Sequence, residues 1–224
     1  MREDLTEIVF ILDKSGSMCG LEADTIGGFN AMIEKQKNGE GQALVSTVLF
    51  SDESRVINDR IPIDKVRKLT SRQYSVGGST ALLDAVGEAI HHVGNIHKFA
   101  RKEDVPGKTL FVITTDGMEN SSYKYSYKDI KRMIKRQKER YHWEFLFLGA
   151  NIDAAEMADS MGIDRNCAAN YNCDSEGTAL NYEVLEMAVS RVRSCAPGQM
   201  CEELADGDWK AKIDADYKKR RKQI

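Results

Sequence analysis

Ile8-Val9-Phe10-Ile11-Leu12-Asp13-Lys14-Ser15-Gly16-Ser17 decides the fold. Five apolar residues in succession fit a strand covered on both faces, because a half-exposed strand would alternate with polar residues. The run ends abruptly on a carboxylate and two hydroxyls. Open α/β sheets bind ligands at the C-terminal ends of their strands. Residues two apart in an extended turn point the same way, so Asp13, Ser15 and Ser17 can converge. All three are hard oxygen donors of the kind that suits Mg²⁺, Mn²⁺ or Ca²⁺.

Working outward, short apolar runs alternate with helical periodicities. Ile26, Phe29 and Ile33 mark a helix face that Asn38-Gly39 ends. Residues 43–50 (ALVSTVLF) read as a second buried strand. Residues 54–61 (SRVINDRI) alternate, as an edge strand would, and the short link before them suits an antiparallel hairpin. Pro62 stops that strand. Leu83, Val86, Ile90, Val93 and His97 space out as a long helix after Gly77-Gly78-Ser79-Thr80. Residues 109–115 (TLFVITT) form another buried strand, ending at Asp116-Gly117. A helix over 127–141, a strand at 144–148, a short helix over 153–161, a weak strand at 167–171 and a helix face from Leu180 to Val192 follow. Strands alternating with helices predict right-handed βαβ units. The expected class is α/β, a doubly wound, mostly parallel sheet with one antiparallel edge strand and helices on both faces. The expected division is one domain over 1–196 and a charged tail or peripheral helix over 197–224, with the break at Pro197-Gly198.

The chain has 224 residues and a formal net charge of −3, so the whole molecule is no obvious nucleic-acid binder. No apolar run approaches the roughly 18–20 residues of a membrane span. The five cysteines lack zinc-type spacing, and no signal-peptide apolar region of suitable length is present. Reduced thiols in a cytoplasmic protein are therefore expected.

Three strand ends supply oxygen ligands in this reading. The first gives Asp13, Ser15 and Ser17, the glycine-rich turn gives Thr80, and the strand 109–115 gives Asp116. In a doubly wound sheet the first strand lies beside the strand that ends at Asp116, so all five side chains can meet at the topological switch point. The set Asp13-Lys14-Ser15-Gly16-Ser17, Thr80 in Gly78-Ser79-Thr80-Ala81-Leu82, and Asp116 in Thr115-Asp116-Gly117 resembles the metal-ion-dependent adhesion site of the von Willebrand factor A domain family. The resemblance covers roughly residues 5–195 and suggests a bacterial-type stand-alone member with the full site. It implies a divalent cation, Mg²⁺ or else Mn²⁺ or Ca²⁺, that coordinates a Glu or Asp of a partner protein. It also implies, by analogy alone, an adaptor or assembly subunit working alongside an AAA+ ATPase. Mg²⁺ takes six oxygens and is usually held by one or two carboxylates, which two Asp and three hydroxyls match.

No catalytic residue is expected. The alternative is a Mg²⁺-dependent phosphoryl-transfer hydrolase with Asp13 as nucleophile. Such a site would call for a second Asp two residues on, where Ser15 stands, and no phosphate-binding glycine fingerprint accompanies it. Asp84, one helical turn after Thr80, is a candidate support for the metal loop. Met118, Glu119 and Asn120 border the site and are candidates for partner selection, as are Met18, Cys19 and Leu21. His91, His92 and His97 lack the i, i+4 spacing of a helical metal pair and read as surface or rim residues. Residues 124–140 carry eight Lys or Arg against Asp129 and Glu139, a net +6 that leaves −9 on the rest. A solvated helix face explains this better than a nucleic-acid surface, because no aromatic stacking platform accompanies it. The basic run 218–222 reads as a solubilising end.

Overall fold

The computed structural model describes residues 1–221. β1 (Arg2–Asp13), β2 (Gln42–Phe50), β3 (Ser54–Pro62), β4 (Pro106–Thr115), β5 (Glu144–Gly149) and β6 (Ala168–Asn170) form one six-stranded sheet in the order 3-2-1-4-5-6. Only β3 runs antiparallel, paired to β2. β1 lies between β2 and β4, parallel to both. From Leu5 to Asp13 every residue of β1 is buried, as its unbroken apolar run requires. β4 and β5 are buried in the same way.

The helices are α1 (Glu22–Lys37), α2 (Leu82–Phe99), α3 (Tyr127–Tyr141), α4 (Ala154–Met161) and α5 (Ser175–Ser194), followed by α6 (Met200–Ala205) and α7 (Ala211–Arg221). The chain moves from β1 to β2 on one side and from β3 to β4 on the other. Right-handed crossovers then put α1 and α2 on opposite faces. α1 packs against α5, while α3 packs against both α2 and α4. Gly28 lets α1 and α5 come together: a Cβ there would stand 2.3 Å from the Tyr182 ring. The strand order reverses direction between β1 and β4, which places the switch point at the ends of those two strands.

Two details differ from what periodicity predicts. Glu7 interrupts the buried run of β1 and is itself fully buried. Its carboxylate accepts from Arg60 Nε of β3 at 2.8 Å and pairs with His97 Nε2 of α2 at 2.5 Å. His97 is thus drawn inward by a buried acid, and it packs edge-on against Trp143, whereas His91 and His92 are exposed. Helical spacing cannot reveal this, because the acid that recruits His97 lies ninety residues away.

The second detail is the C-terminal segment. Met200, Leu204, Trp209 and Ile213 are all buried. Trp209 Nε1 donates to the Asn166 carbonyl at 2.8 Å, and Lys210 Nζ donates to the carbonyls of Arg165 and Ala168. α7 packs on α5 and on β6. The few apolar residues of 200–213 are spread among charges, so their common burial is invisible to a composition scan. Lys222 of the basic run lies outside the described residues. No helix among the described residues is long and apolar enough to cross a membrane.

Trp209→Ala is expected to lower the stability of the whole domain by about 3–5 kcal/mol, read from the urea midpoint. An unchanged midpoint would mean that 200–221 is not part of the cooperative unit.

Candidate functional site

The end of β1 turns sharply. Asp13 is the last residue of the strand, and its Oδ1 accepts the Ser15 N–H at 2.7 Å. Such a bond from an Asp side chain to the backbone two residues on is a standard turn device. Residues Gly16–Met18 then form one 3₁₀ turn. The convergence expected from an extended loop is therefore achieved by a tight turn, which brings the Ser15 and Ser17 hydroxyls to 3.0 Å. The second oxygen of Asp13, Oδ2, accepts the Thr115 hydroxyl at 2.6 Å. The Tyr74 hydroxyl donates to the Asp13 carbonyl from below.

Thr80 is fixed from three sides. Gly16 N–H donates to the Gly78 carbonyl at 3.0 Å, and Gly77 N–H donates to the Lys14 carbonyl at 2.9 Å, which zips the glycine-rich turn to the first loop. Gly78 has φ +83° and faces the Asp52 carboxylate, where a Cβ would come within 2.4 Å. Only glycine satisfies both conditions. Asp52 in turn accepts the Ser79 N–H at 2.6 Å. Thr80 itself exchanges two bonds with Asn120, N–H to Oδ1 at 2.9 Å and carbonyl from the Asn120 N–H at 3.1 Å.

Asp116 follows β4 directly. Its Oδ1 accepts the Ser17 hydroxyl at 2.5 Å, and its Oδ2 accepts the Cys173 thiol at 3.6 Å. Gly117 sits beside the Ser17 and Thr80 hydroxyls: a Cβ there would lie 3.3 Å from the first and 3.5 Å from the second. All five sequence-predicted residues thus come together at the switch point. Asp13, Ser15, Thr80 and Asp116 are buried, and Ser17 is exposed at the mouth. Sequence reading missed Thr115, Cys173, Tyr74 and Asn151, whose Nδ2 donates to the Asp116 carbonyl at 3.4 Å. Thr115 adjoins Asp116 and was within reach of a motif search. Cys173 and Tyr74 arrive from distant loops with no local signal.

The loop between β4 and α3 is tied to the N-terminus of α2. That terminus has unpaired N–H groups, as every helix start does. Glu119 Oε2 accepts from Leu83 N–H at 2.9 Å, and the Ser122 hydroxyl accepts from Asp84 N–H at 3.1 Å. Asp84 reciprocates by accepting the N–H groups of Tyr123, Lys124 and Tyr125 at 3.1, 2.9 and 3.0 Å. Asp84 therefore supports the loop after Asp116 rather than touching the loop that follows β1. Met118 stays 66% exposed at the rim, with Cys19 exposed nearby, while Met18 and Leu21 are buried beneath the loop.

The electrostatics of the site are unbalanced. Burial pushes the Asp13 carboxyl up from its ordinary value, with hydrogen bonds from Thr115 and Ser15 opposing. Burial also pushes Asp116 up; the Ser17 bond opposes, and the charge of Asp13 adds to the rise. Neither acid has a salt-bridge partner among the described residues, and Lys14 directs its ammonium to Ser51 at 3.0 Å. Two buried carboxylates and a set of neutral hydroxyls make a donor set that lacks positive charge. Among the described residues no group of three or more His, Cys, Asp or Glu is placed to hold a metal. By donor type alone, two carboxylates and three hydroxyls suit a hard cation rather than zinc-type coordination.

The raised carboxyls contribute to the pH dependence of the metal-free protein. A folded-state value above the unfolded one favours folding at low pH, and that contribution is lost as pH rises through the folded value. Metal-free Asp116→Asn is expected to melt roughly 2–4 °C above the native chain at pH 7, with the gap closing as pH falls toward 4. Differential scanning calorimetry in chelator checks this, and a lower melting temperature at pH 7 would contradict it.

The basic segment lies elsewhere. Arg132 pairs with Asp129 at 2.9 Å and Lys135 with Glu139 at 3.7 Å along α3 itself, and Lys138 pairs with Glu144 of β5 at 3.3 Å, so part of its charge is neutralised within the chain.

No known family model matches the chain, and no curated protein does. Solved structures do match. A von Willebrand factor type A protein from Catenulispora acidiphila aligns over 84% of this chain and 43% of its own, at 14% identity and a TM-score of 0.58. Proximal thread matrix protein 1 from the mussel byssus aligns over 88% of this chain and 49% of its own, at 13% identity and a TM-score of 0.57. The ArnB paralog VWA2 from Sulfolobus acidocaldarius aligns over 84% of this chain and 44% of its own, at 13% identity and a TM-score of 0.50. The chain spans less than half the length of each of these structures. At such identities the likeness concerns the fold alone, and that fold is the von Willebrand factor A fold.

Proposed function

We propose that this chain is a metal-dependent protein-binding module. The observation that carries the proposal is the meeting of Asp13, Ser15, Ser17, Thr80 and Asp116 at the switch point, with two buried acids that have no salt-bridge partner among the described residues. These five residues would hold a divalent cation, Mg²⁺ or else Mn²⁺ or Ca²⁺. When bound, the cation supplies an electrophilic position that a Glu or Asp carboxylate of a partner protein can fill.

The chain's residues divide the work. Asp13 and Asp116 provide the negative charge. The hydroxyls of Ser15, Ser17 and Thr80 contribute oxygen without further charge, which leaves the cation under-neutralised and attractive to an external carboxylate. Thr115 and the Ser15 N–H orient Asp13, and the Asn120 pair sets Thr80. Met118 offers an exposed apolar contact at the rim, of the type enriched in protein interfaces.

A binding role is favoured over phosphoryl transfer by Asp13 itself. Both of its carboxylate oxygens accept hydrogen bonds from within the chain, and the side chain is buried. A nucleophile needs an oxygen directed at the substrate. His91, His92 and His97 lie on α2 away from its N-terminal turn, and His142 caps the far end of α3, so none stands beside Asp13. An adaptor or assembly role, alongside an AAA+ ATPase, is the corresponding cellular proposal and rests on analogy.

The test is thermal denaturation with and without Mg²⁺ or Mn²⁺, in the native chain and in Asp13→Ala. At a concentration 100 times Kd the cation is expected to stabilise the native chain by ~2.7 kcal/mol. That corresponds to roughly 5–10 °C, with no shift in Asp13→Ala. Equal shifts in both proteins would refute the site. Partner capture that needs the cation and is lost in Asp13→Ala would support the binding role, whereas turnover of a generic phosphate ester would overturn it.

A further inference from the structure

α3 carries a charge pattern that its own stability does not explain. Lys128, Lys131, Arg132, Lys135, Arg136 and Arg140 are all exposed and line one shallow depression along the outer side of the helix. A single acid, Glu139, shares that depression. None of these residues belongs to the candidate metal site.

Four of the cations form one row. Lys128, Arg132, Arg136 and Arg140 follow at i, i+4 spacing and span about 18 Å of helix. Like charges at that spacing repel and weaken a helix. Lys131 and Lys135 repeat the arrangement beside the row. Lys128 also stands in the first turn, where the helix dipole disfavours a cation. A face serving solvation alone has no need of these repulsions, because alternating signs would solvate it as well. The acids relieve only part of the charge. Arg132 pairs with Asp129 and Lys135 with Glu139, whereas Lys128, Lys131, Arg136 and Arg140 have no salt-bridge partner among the described residues.

The face is also chemically uniform. Every exposed residue of α3 is charged except Tyr141, its last. A protein interface draws on an apolar or aromatic centre, and a helix lying in a membrane surface needs an apolar face to bury. Single-stranded nucleic acid is held on several aromatic platforms. The phosphates of a duplex ask for none of these, only for cations. α2 and α4 flank α3, so the helix can lie across a duplex but not descend into its groove. Contacts of that kind position a protein without reading sequence. The −9 on the rest of the chain repels a polyanion elsewhere and directs it to this face.

We propose that the outer face of α3 is a sequence-independent docking surface for the phosphate backbone of double-stranded nucleic acid, with Lys128, Arg132, Arg136 and Arg140 as its central row.

The experiment is fluorescence anisotropy of a labelled DNA duplex of about 20 base pairs, titrated with the full chain between about 20 and 200 mM NaCl. Chelator is present throughout, so the metal site plays no part. The duplex is expected to bind with a Kd on the order of 10 μM at about 50 mM NaCl, with a slope of log affinity against log salt of about −3 to −4. Lys128→Gln/Arg136→Gln/Arg140→Gln is expected to weaken binding about tenfold or more and to flatten the slope by about 2–3, with the melting temperature no lower. Lys65→Gln/Arg67→Gln/Lys68→Gln removes the same charge from exposed residues outside α3 and is expected to leave the slope unchanged. No binding at about 20 mM NaCl and 200 μM chain would overturn the proposal. So would equal losses in the two variants, which would reduce the effect to net charge. Tighter binding of the single strand, or binding of polyglutamate as tight as that of the duplex, would also overturn it.

Discussion

Two carboxylates buried side by side at the end of the central strands are the constraint on which the rest of the site depends. Burial disfavours charge on both Asp13 and Asp116, and the charge of Asp13 makes ionisation of Asp116 harder still. Such a pair is unfavourable in an ordinary core. It is tolerated here because local donors surround it: the Ser15 N–H and Thr115 hydroxyl on Asp13, the Ser17 hydroxyl and Cys173 thiol on Asp116. Those donors are neutral, so they lessen the cost of two charges without removing it. A divalent cation is the simplest complement to the excess.

The surrounding loops hold this arrangement through backbone bonds. The turn after β1 and the glycine-rich turn before α2 exchange N–H and carbonyl groups. The loop after β4 is fastened to the first turn of α2 by Glu119, Ser122 and Asp84, each of which satisfies a backbone group at a helix start or in the loop. α2 therefore couples Thr80, just before its start, to the segment that follows Asp116. A site built on rigid strand ends and cross-fastened loops is preorganised for a ligand that arrives from outside.

Much of this was legible in the sequence. The unbroken apolar runs of β1 and β4 announced strands buried on both faces, and the alternation of 54–61 announced the antiparallel edge. Asp13, Ser15, Ser17 and Asp116 could be brought to one place from the sequence because they follow the ends of β1 and β4, which the doubly wound topology sets side by side, whereas Thr80 reaches them from the glycine-rich turn before α2. The supporting groups were not legible. Thr115 could have been found by asking what neighbours Asp13 across the β1–β4 pair. Cys173 comes from the loop after β6, and its position depends on a three-residue strand whose pattern is too weak to set a register. The inward turn of His97 depends on Glu7, an acid inside an apolar strand that periodicity treats as an anomaly. The docking of Trp209 and Ile213 rests on isolated apolar residues, each meaningful only against a surface that folding creates.

The central claim is that the chain itself holds a hard cation at the junction of β1 and β4. Anomalous diffraction from crystals grown with Mn²⁺ tests it most directly. The account predicts one strong peak among the side-chain oxygens of Asp13, Ser15, Ser17, Thr80 and Asp116, absent from crystals of Asp13→Ala. Crystals of the native chain with no peak there at saturating Mn²⁺, or a peak that persists in Asp13→Ala, would contradict it.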